Sequence, residues 1–193
     1  MKIILASASP RRRELLSSVC KEFEIKVAET DETLGDGVAP REGVMMLAVR
    51  KGSAVFDIIE EKERNACVII SSDTLVELDG VPLGKPTDTH HAKEMLRSLS
   101  GKRHNVHTGI AVRVGESVYS GVATTGVYFK QMTDLEIEEY IKTGEPMDKA
   151  GAYGIQGLGG KFVEKIEGDF DTVVGFSLRL LSELLLKAGV TLE

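Results

Sequence analysis

The sequence predicts a mixed α/β fold, and three observations carry that expectation. Short apolar runs alternate with segments of helical period. Two long extended segments in the middle of the chain meet at a Gly115-Glu116 turn. No repeat, low-complexity stretch or linker rich in Pro, Gly and Ser interrupts the order. At 193 residues the chain can bury a core without staples, and one domain over residues 1–193 is expected.

The elements follow in order. Residues 2–6 are an apolar run and read as a buried strand. Ser9 is a good N-cap and Pro10 a good first helical residue, so a helix is expected to about Cys20. Residues 23–28 read as a second strand. Residues 41–61 carry Val44, Ala48, Val55, Ile58 and Ile59 on one stripe and read as a long helix. Residues 67–71 form a short apolar strand, 74–78 continue extended, and Asp79-Gly80 signals a hairpin. A helix over 87–100 points Ala92, Met95, Leu96 and Leu99 inward and is stopped by Gly101. Residues 105–114 and 117–130 form the strand pair. Thr133 and Glu136 make a capping box for a short helix ended by Gly144. A glycine-rich loop spans 145–160, a strand 161–166 and a last helix 176–187.

Composition narrows the function. The net charge of −6 and the scarcity of aromatic residues argue against a nucleic-acid coat, so no nucleic acid is expected as partner. Cys20 and Cys67 lie far apart in apolar contexts and read as core residues of a reducing compartment. No apolar run approaches a membrane span or a signal peptide, so no membrane is expected and the cytoplasm is the expected location.

Five segments carry chemistry. Ser7-Ala8-Ser9-Pro10-Arg11-Arg12-Arg13 puts three arginines on the first turn of a helix, where positive charge is unfavourable unless an anion is near. The strand–turn–helix context suits phosphate, with the Ser7 and Ser9 hydroxyls as further donors and Arg11 and Arg12 as binders. A solvated basic turn is the plainer reading. Lys51 falls on the apolar stripe of its helix, where a lysine either snorkels outward or pairs with an anion. Asp73, in Ser71-Ser72-Asp73-Thr74, follows an apolar strand, where a carboxylate activates water, holds a metal, or merely makes a turn. Glu32 follows the second strand in the same way. Lys85, in Gly84-Lys85-Pro86, is aimed by its proline. In the loop 145–160 the glycines permit close approach to a ligand. There Gln156 offers a donor and an acceptor that complement the N3–H and O4 of uracil or thymine. His104 and His107, three apart on a strand, point to opposite faces and make a poor metal pair.

Together these segments resemble the Maf family of nucleotide pyrophosphatases. The matching pieces are Ser7-x-Ser9-Pro10-Arg11-Arg12, Asp31-Glu32, Arg50-Lys51, Ser72-Asp73-Thr74, Gly84-Lys85-Pro86, Ser100-Gly101 with His107-Thr108-Gly109, and the run from Glu145-Pro146 to Gln156-Gly157. Residues 169–176 resemble the family's closing segment. Ala8 departs from it, standing where several relatives have Gly or Arg. The resemblance implies an elongated twisted mixed sheet with flanking helices and two lobes around a central cleft, as in the inosine triphosphatase-like folds. It implies cleavage of a nucleoside triphosphate between the α and β phosphates, a divalent metal cation (Mg²⁺ or Mn²⁺) and a homodimer. By motif, Asp73 is the proton acceptor; Arg11, Thr74 and Gln156 set substrate choice; Arg12, Lys51 and Lys85 bind phosphate; and Glu32, with Asp73, contacts metal or water. Asp73-Thr74 and Gln156 match the subgroup directed at dTTP and UTP rather than the one directed at 7-methyl-GTP. A regulatory nucleotide-binding protein of cell division without significant turnover and a 7-methyl-GTP-type pyrophosphatase stay open as alternatives, as does a housecleaning enzyme for modified pyrimidine nucleotides.

Overall fold

The computed structural model describes residues 1–35 and 37–192. Its strands are β1 (Lys2–Leu5), β2 (Glu24–Ile25), β3 (Cys67–Leu78), β4 (Val81–Leu83), β5 (Arg103–Val114), β6 (Ser117–Phe129) and β7 (Val163–Glu167). Its helices are α1 (Pro10–Ser17), α2 (Pro40–Asp57), α3 (Glu61–Arg64), α4 (Thr89–Leu99), α5 (Asp134–Lys142), α6 (Phe170–Val174) and α7 (Leu178–Lys187). The sheet order is β2-β1-β3-β5-β6-β7, with β4 paired to β3. β1 pairs in parallel with β2 and β3, whereas β3/β4 and β6/β7 are antiparallel, so the sheet is mixed as expected.

The chain divides into two compact units. The first holds Met1–Asp73, Thr108–Ala123 and Gly175–Glu193. Alternation along its strands explains the continuous apolar runs. Ile3 and Leu5 of β1 and Val68 and Ile70 of β3 pack with Leu16, Phe176, Leu181 and Leu184 of the α1/α7 side. Ile4, Ala6, Cys67 and Ile69 pack with Val55, Phe56 and Ile59 of the α2 side. A strand covered on both faces has no polar alternation to show.

The second unit holds Thr74–His107 and Thr124–Val174. Val76 and Leu78 of β3, Val127 and Phe129 of β6, Leu96 and Leu99 of α4, Ile137 and Tyr140 of α5, and Phe162 form its core. Asp79 and Gly80 adopt φ of 52° and 82°, the doubly left-handed pair that a tight hairpin needs. The loop after α5 is not featureless: it makes short 3₁₀ turns at Glu145–Asp148, Ala150–Ala152 and Leu158–Phe162.

Four element expectations need correction. The first helix stops at Ser17, with Ser18 as its C-cap, rather than near Cys20. The second strand is only Glu24–Ile25, after which the chain leaves the edge of β1. The helix expected to Glu61 ends at Asp57, because Arg64 donates to the carbonyls of Asp57 and Ile59 and so satisfies the exposed end. Ile58 is consequently 58% exposed rather than on the buried stripe. The two extended pieces around Asp73 are one continuous strand, β3.

Candidate active site

β1 delivers the chain into a turn, Ser7 to Ser9, that opens α1. Ser9 caps the helix, its Oγ accepting from Arg12 N at 3.5 Å, and Ser7 Oγ accepts from Ser9 N at 3.2 Å. The first turn of α1 contains no acidic residue of its own, so its three arginines meet the positive end of the helix with no carboxylate from that turn beside them. They separate as the helical pitch requires: Arg13 is exposed, Arg11 half-buried, and Arg12 folds inward. Arg12 Nε donates to the Gly175 carbonyl at 2.9 Å and Nη1 to the Ser72 carbonyl at 2.7 Å. Burial pulls its guanidinium pKa down, Asp73 opposes that, and Arg11 adds to it. Ser72 Oγ donates to the same Gly175 carbonyl at 3.0 Å. Arg12 thus clamps the end of the apolar part of β3 to the segment before α7.

Lys51 is the hub of the first unit's charged cluster. Its Nζ lies 2.5 Å from Asp73 Oδ1 and 2.7 Å from Glu32 Oε1. The Lys51 and Asp73 side chains are 20% and 13% exposed and that of Glu32 62%, so the lysine snorkels along its stripe and ends on carboxylates. Gly52 explains how α2 comes close enough. A Cβ there would stand 2.7 Å from Ser71 Oγ, which itself donates to the Ala48 carbonyl at 2.7 Å. Arg50 Nη1 donates to the Thr33 carbonyl at 2.6 Å and fixes the loop that carries Glu32. Ser7, Arg12, Glu32 and Lys51 line a cavity of about 160 Å³ whose apolar wall includes Val27 and Val55. Ser9, Arg11 and Asp73 do not line that cavity; Asp73 reaches it only through Lys51.

The second unit places the other candidates. Thr74 follows Asp73 on β3 and is half-buried. Strand alternation sets it on the face of Val76, and Val76 packs against Gly151 of the glycine-rich loop. The Gly151 N–H donates to the Gly84 carbonyl at 3.0 Å, so the exposed Lys85 is tethered beside that loop. Gln156 is exposed in a turn closed by Gly157 N to Gly154 O at 3.2 Å. The Glu145 carboxylate accepts from Leu158 N, Gly159 N and Tyr140 Oη. Burial raises its pKa, but these donors and Lys149 outweigh burial and hold it below the usual carboxylate range.

The family model described as Maf-like protein matches residues 2–188. The chain belongs to the Maf family. Among relatives of this Maf chain, the dTTP/UTP pyrophosphatase of Bacillus cytotoxicus is 47% identical, over 95% of this chain and 94% of that one. The dTTP/UTP pyrophosphatase of Bdellovibrio bacteriovorus is 43% identical, over 96% and 97%. The solved structure of the Staphylococcus aureus Ham1 protein superimposes at a TM-score of 0.46 with 15% identity, covering 98% of this chain and 97% of that one.

Three residues of this Maf site were not singled out by sequence reasoning. Arg50 was legible only as the neighbour of Lys51, and Gly175 and Glu145 act through contacts 103 and 14 residues away in sequence. The one local signal was Gly52, a costly residue inside a helix that implies a packing reason. His104 and His107 bind different partners, Tyr153 Oη at 2.8 Å and Glu77 Oε2 at 2.7 Å. No helix among the described residues is long and apolar enough to cross a membrane.

Proposed function

We propose that this chain hydrolyses dTTP and UTP to the monophosphate and pyrophosphate, working as one catalytic domain over residues 1–193. The observation that carries the reading is the Glu32–Lys51–Asp73 cluster, of which Glu32 and Lys51 line a cavity together with Ser7 and Arg12, in a Maf chain with relatives of that activity.

In this reading Asp73 takes the proton of a water that attacks the α-phosphorus. The bond between the α-phosphorus and the bridging oxygen breaks, and pyrophosphate leaves. Arg12, Lys51 and Lys85 supply fixed positive charge where the transition state spreads negative charge. Ser7 and Ser9 add hydroxyl donors, and Arg11, Thr74 and Gln156 select the base.

The donor set fits a divalent cation. Glu32 and Asp73 already reach one cationic centre, the Lys51 ammonium, from two sides with hard oxygen atoms. Among the described residues no cluster of three or more His, Cys, Asp or Glu side chains could hold a metal alone. Glu32 and Asp73 would hold Mg²⁺ or Mn²⁺ together with oxygen donors from outside the chain. When bound it neutralises part of the triphosphate charge. The same reading carries the cytoplasm as the place of action and a homodimer as the working state. The net charge of −6 argues against a nucleic acid as the partner.

The test is pyrophosphate release from dTTP, UTP, CTP, GTP, ATP and 7-methyl-GTP with Mg²⁺ or Mn²⁺. Release from dTTP and UTP, with the monophosphate as co-product, is expected. Release only from 7-methyl-GTP would overturn the roles of Thr74 and Gln156; tight binding without release would leave a regulatory binder.

A further inference from the structure

We infer that Glu145 is the positioning residue for base selection: its carboxylate staples the turn that presents Gln156. The inference rests on the reading of Gln156 as the residue that reads the base.

Gln156 is an exposed side chain at the corner of a four-residue turn, 154–157. An amide that discriminates uracil from cytosine must hold its donor and acceptor to within roughly 0.5 Å, and an exposed turn does not do that unaided. Here both ends of the turn are tied to one anchor. On the far side, Glu145 Oε2 accepts from Leu158 N at 2.9 Å and Oε1 from Gly159 N at 3.0 Å. On the near side, Gly154 N donates to Tyr140 Oη at 3.1 Å, and that hydroxyl donates to Glu145 Oε1 at 2.8 Å. Tyr140 is 1% exposed in the core, so the anchor does not drift. The approach is close: a Cβ on Gly157 would stand 2.4 Å from Glu145 Oε2, and one on Gly159 2.5 Å from Tyr140 Oη. The main chain of Glu145 is held in turn, its carbonyl accepting from Lys149 Nζ at 2.9 Å. Three donors of the chain itself, the Tyr140 hydroxyl and the Leu158 and Gly159 N–H groups, converge on the carboxylate. Glu145 therefore acts through Gln156, not on substrate.

The decisive variant is Glu145→Gln. It keeps the volume but turns one acceptor oxygen into an NH₂ group, which must then face an N–H or O–H donor. Tyr140→Phe removes the near-side link alone. Gln156→Ala is the reference, and Glu145→Gln/Gln156→Ala closes the cycle. Each is assayed for kcat and KM on UTP and CTP, for inhibition by pyrophosphate, and for thermal stability. Pyrophosphate carries no base and reports the phosphate end of the site. The expected result is that Glu145→Gln lowers the UTP-over-CTP ratio of kcat/KM about tenfold, chiefly through KM. Pyrophosphate inhibition should stay within about twofold, and Tyr140→Phe should move the ratio in the same direction by less. The double variant should be no worse than Gln156→Ala alone.

The inference is overturned if Gln156→Ala collapses the ratio while Glu145→Gln leaves it within about twofold. It is also overturned if Glu145→Gln weakens pyrophosphate inhibition, kcat and stability together, the mark of a purely structural role. If the parent enzyme does not discriminate UTP from CTP, or Gln156→Ala leaves the ratio intact, the reading of Gln156 fails and the role of Glu145 falls with it.

Discussion

Lys51 Nζ lies 2.5 Å from Asp73 Oδ1, the more sheltered of its two carboxylate contacts. Asp73, the proposed proton acceptor, is thus held in place by a cation before any substrate arrives.

Asp73→Asn keeps the shape and a hydrogen-bonding oxygen for Lys51, which also retains Glu32. The fold should survive while the proton acceptor is lost. Turnover is expected to fall by about 10²–10⁴-fold with an unchanged circular dichroism spectrum. A variant that kept more than a tenth of the parent rate of pyrophosphate release would remove Asp73 from the mechanism.

Lys51→Met leaves Glu32 and Asp73 without the ammonium that bridges them. Repulsion between an ammonium and a divalent ion is worth roughly 2 kcal/mol at ~4 Å in water, twice that between two unit charges, so Mn²⁺ should bind about 30-fold tighter in the absence of nucleotide. Turnover should fall nonetheless, because a fixed positive charge is gone from the phosphate end. Calorimetry with Mn²⁺ alone decides: weaker binding would mean that the two carboxylates do not hold the metal.

Gly52→Ala tests the seat of α2. Alanine is the better helix former by about 1 kcal/mol, but its Cβ meets Ser71 Oγ, which is fully buried and bonded to Ala48. Overpacking should win, with a net loss of about 1–2 kcal/mol and reduced activity as Lys51 is pushed from Asp73. Gly52→Ala/Ser71→Ala, with the oxygen removed, should melt at a higher temperature than Gly52→Ala.

His104 gives the pH dependence of stability. It is 2% exposed, its Nδ1 has no hydrogen-bond partner among the described residues, and burial, aided by Arg103, lowers its pKa from 6.5 to about 4. The folded state therefore holds the ring neutral, and the unfolded chain takes up the proton first as pH falls. Stability is complete above pH 6.5 and declines from there toward pH 4, by about 2 kcal/mol at pH 5. His104→Phe/Tyr153→Phe removes the ring and its hydrogen-bonded neighbour together, leaving edge-packed rings with Phe129. Thermal melts between pH 8 and pH 5 should flatten in this variant; an unchanged slope would assign the effect elsewhere.

What the sequence made legible follows from the range of the interactions. The capping box at Thr133/Glu136, the Asp79-Gly80 hairpin and the inward face of α4 are local, and all three form as read. The break expected within β3 did not form. Ser71, Ser72 and Asp73 look like the end of a strand, yet Ser71 and Ser72 are fully buried, their hydroxyls bonded to the Ala48 and Gly175 carbonyls. Polar residues at the middle of a strand are invisible as such until their distant acceptors are known. The early end of α2 has the same origin, since Arg64 supplies its cap from outside the helix. Candidate site residues were legible by type: a lysine on an apolar stripe and a carboxylate after a strand both announce unmet charge. Arg50 and Glu145 were not, because most of their partners are main-chain atoms, which any sequence possesses.

The first turn of α1, with three arginines and no acid, has one practical consequence. Buffer anions become participants. Phosphate or sulfate that settles against this helix end stabilises the folded chain by mass action and occupies ground that a triphosphate needs. Purification in phosphate should yield a protein that melts higher and turns over more slowly than the same preparation exchanged into a monovalent chloride buffer.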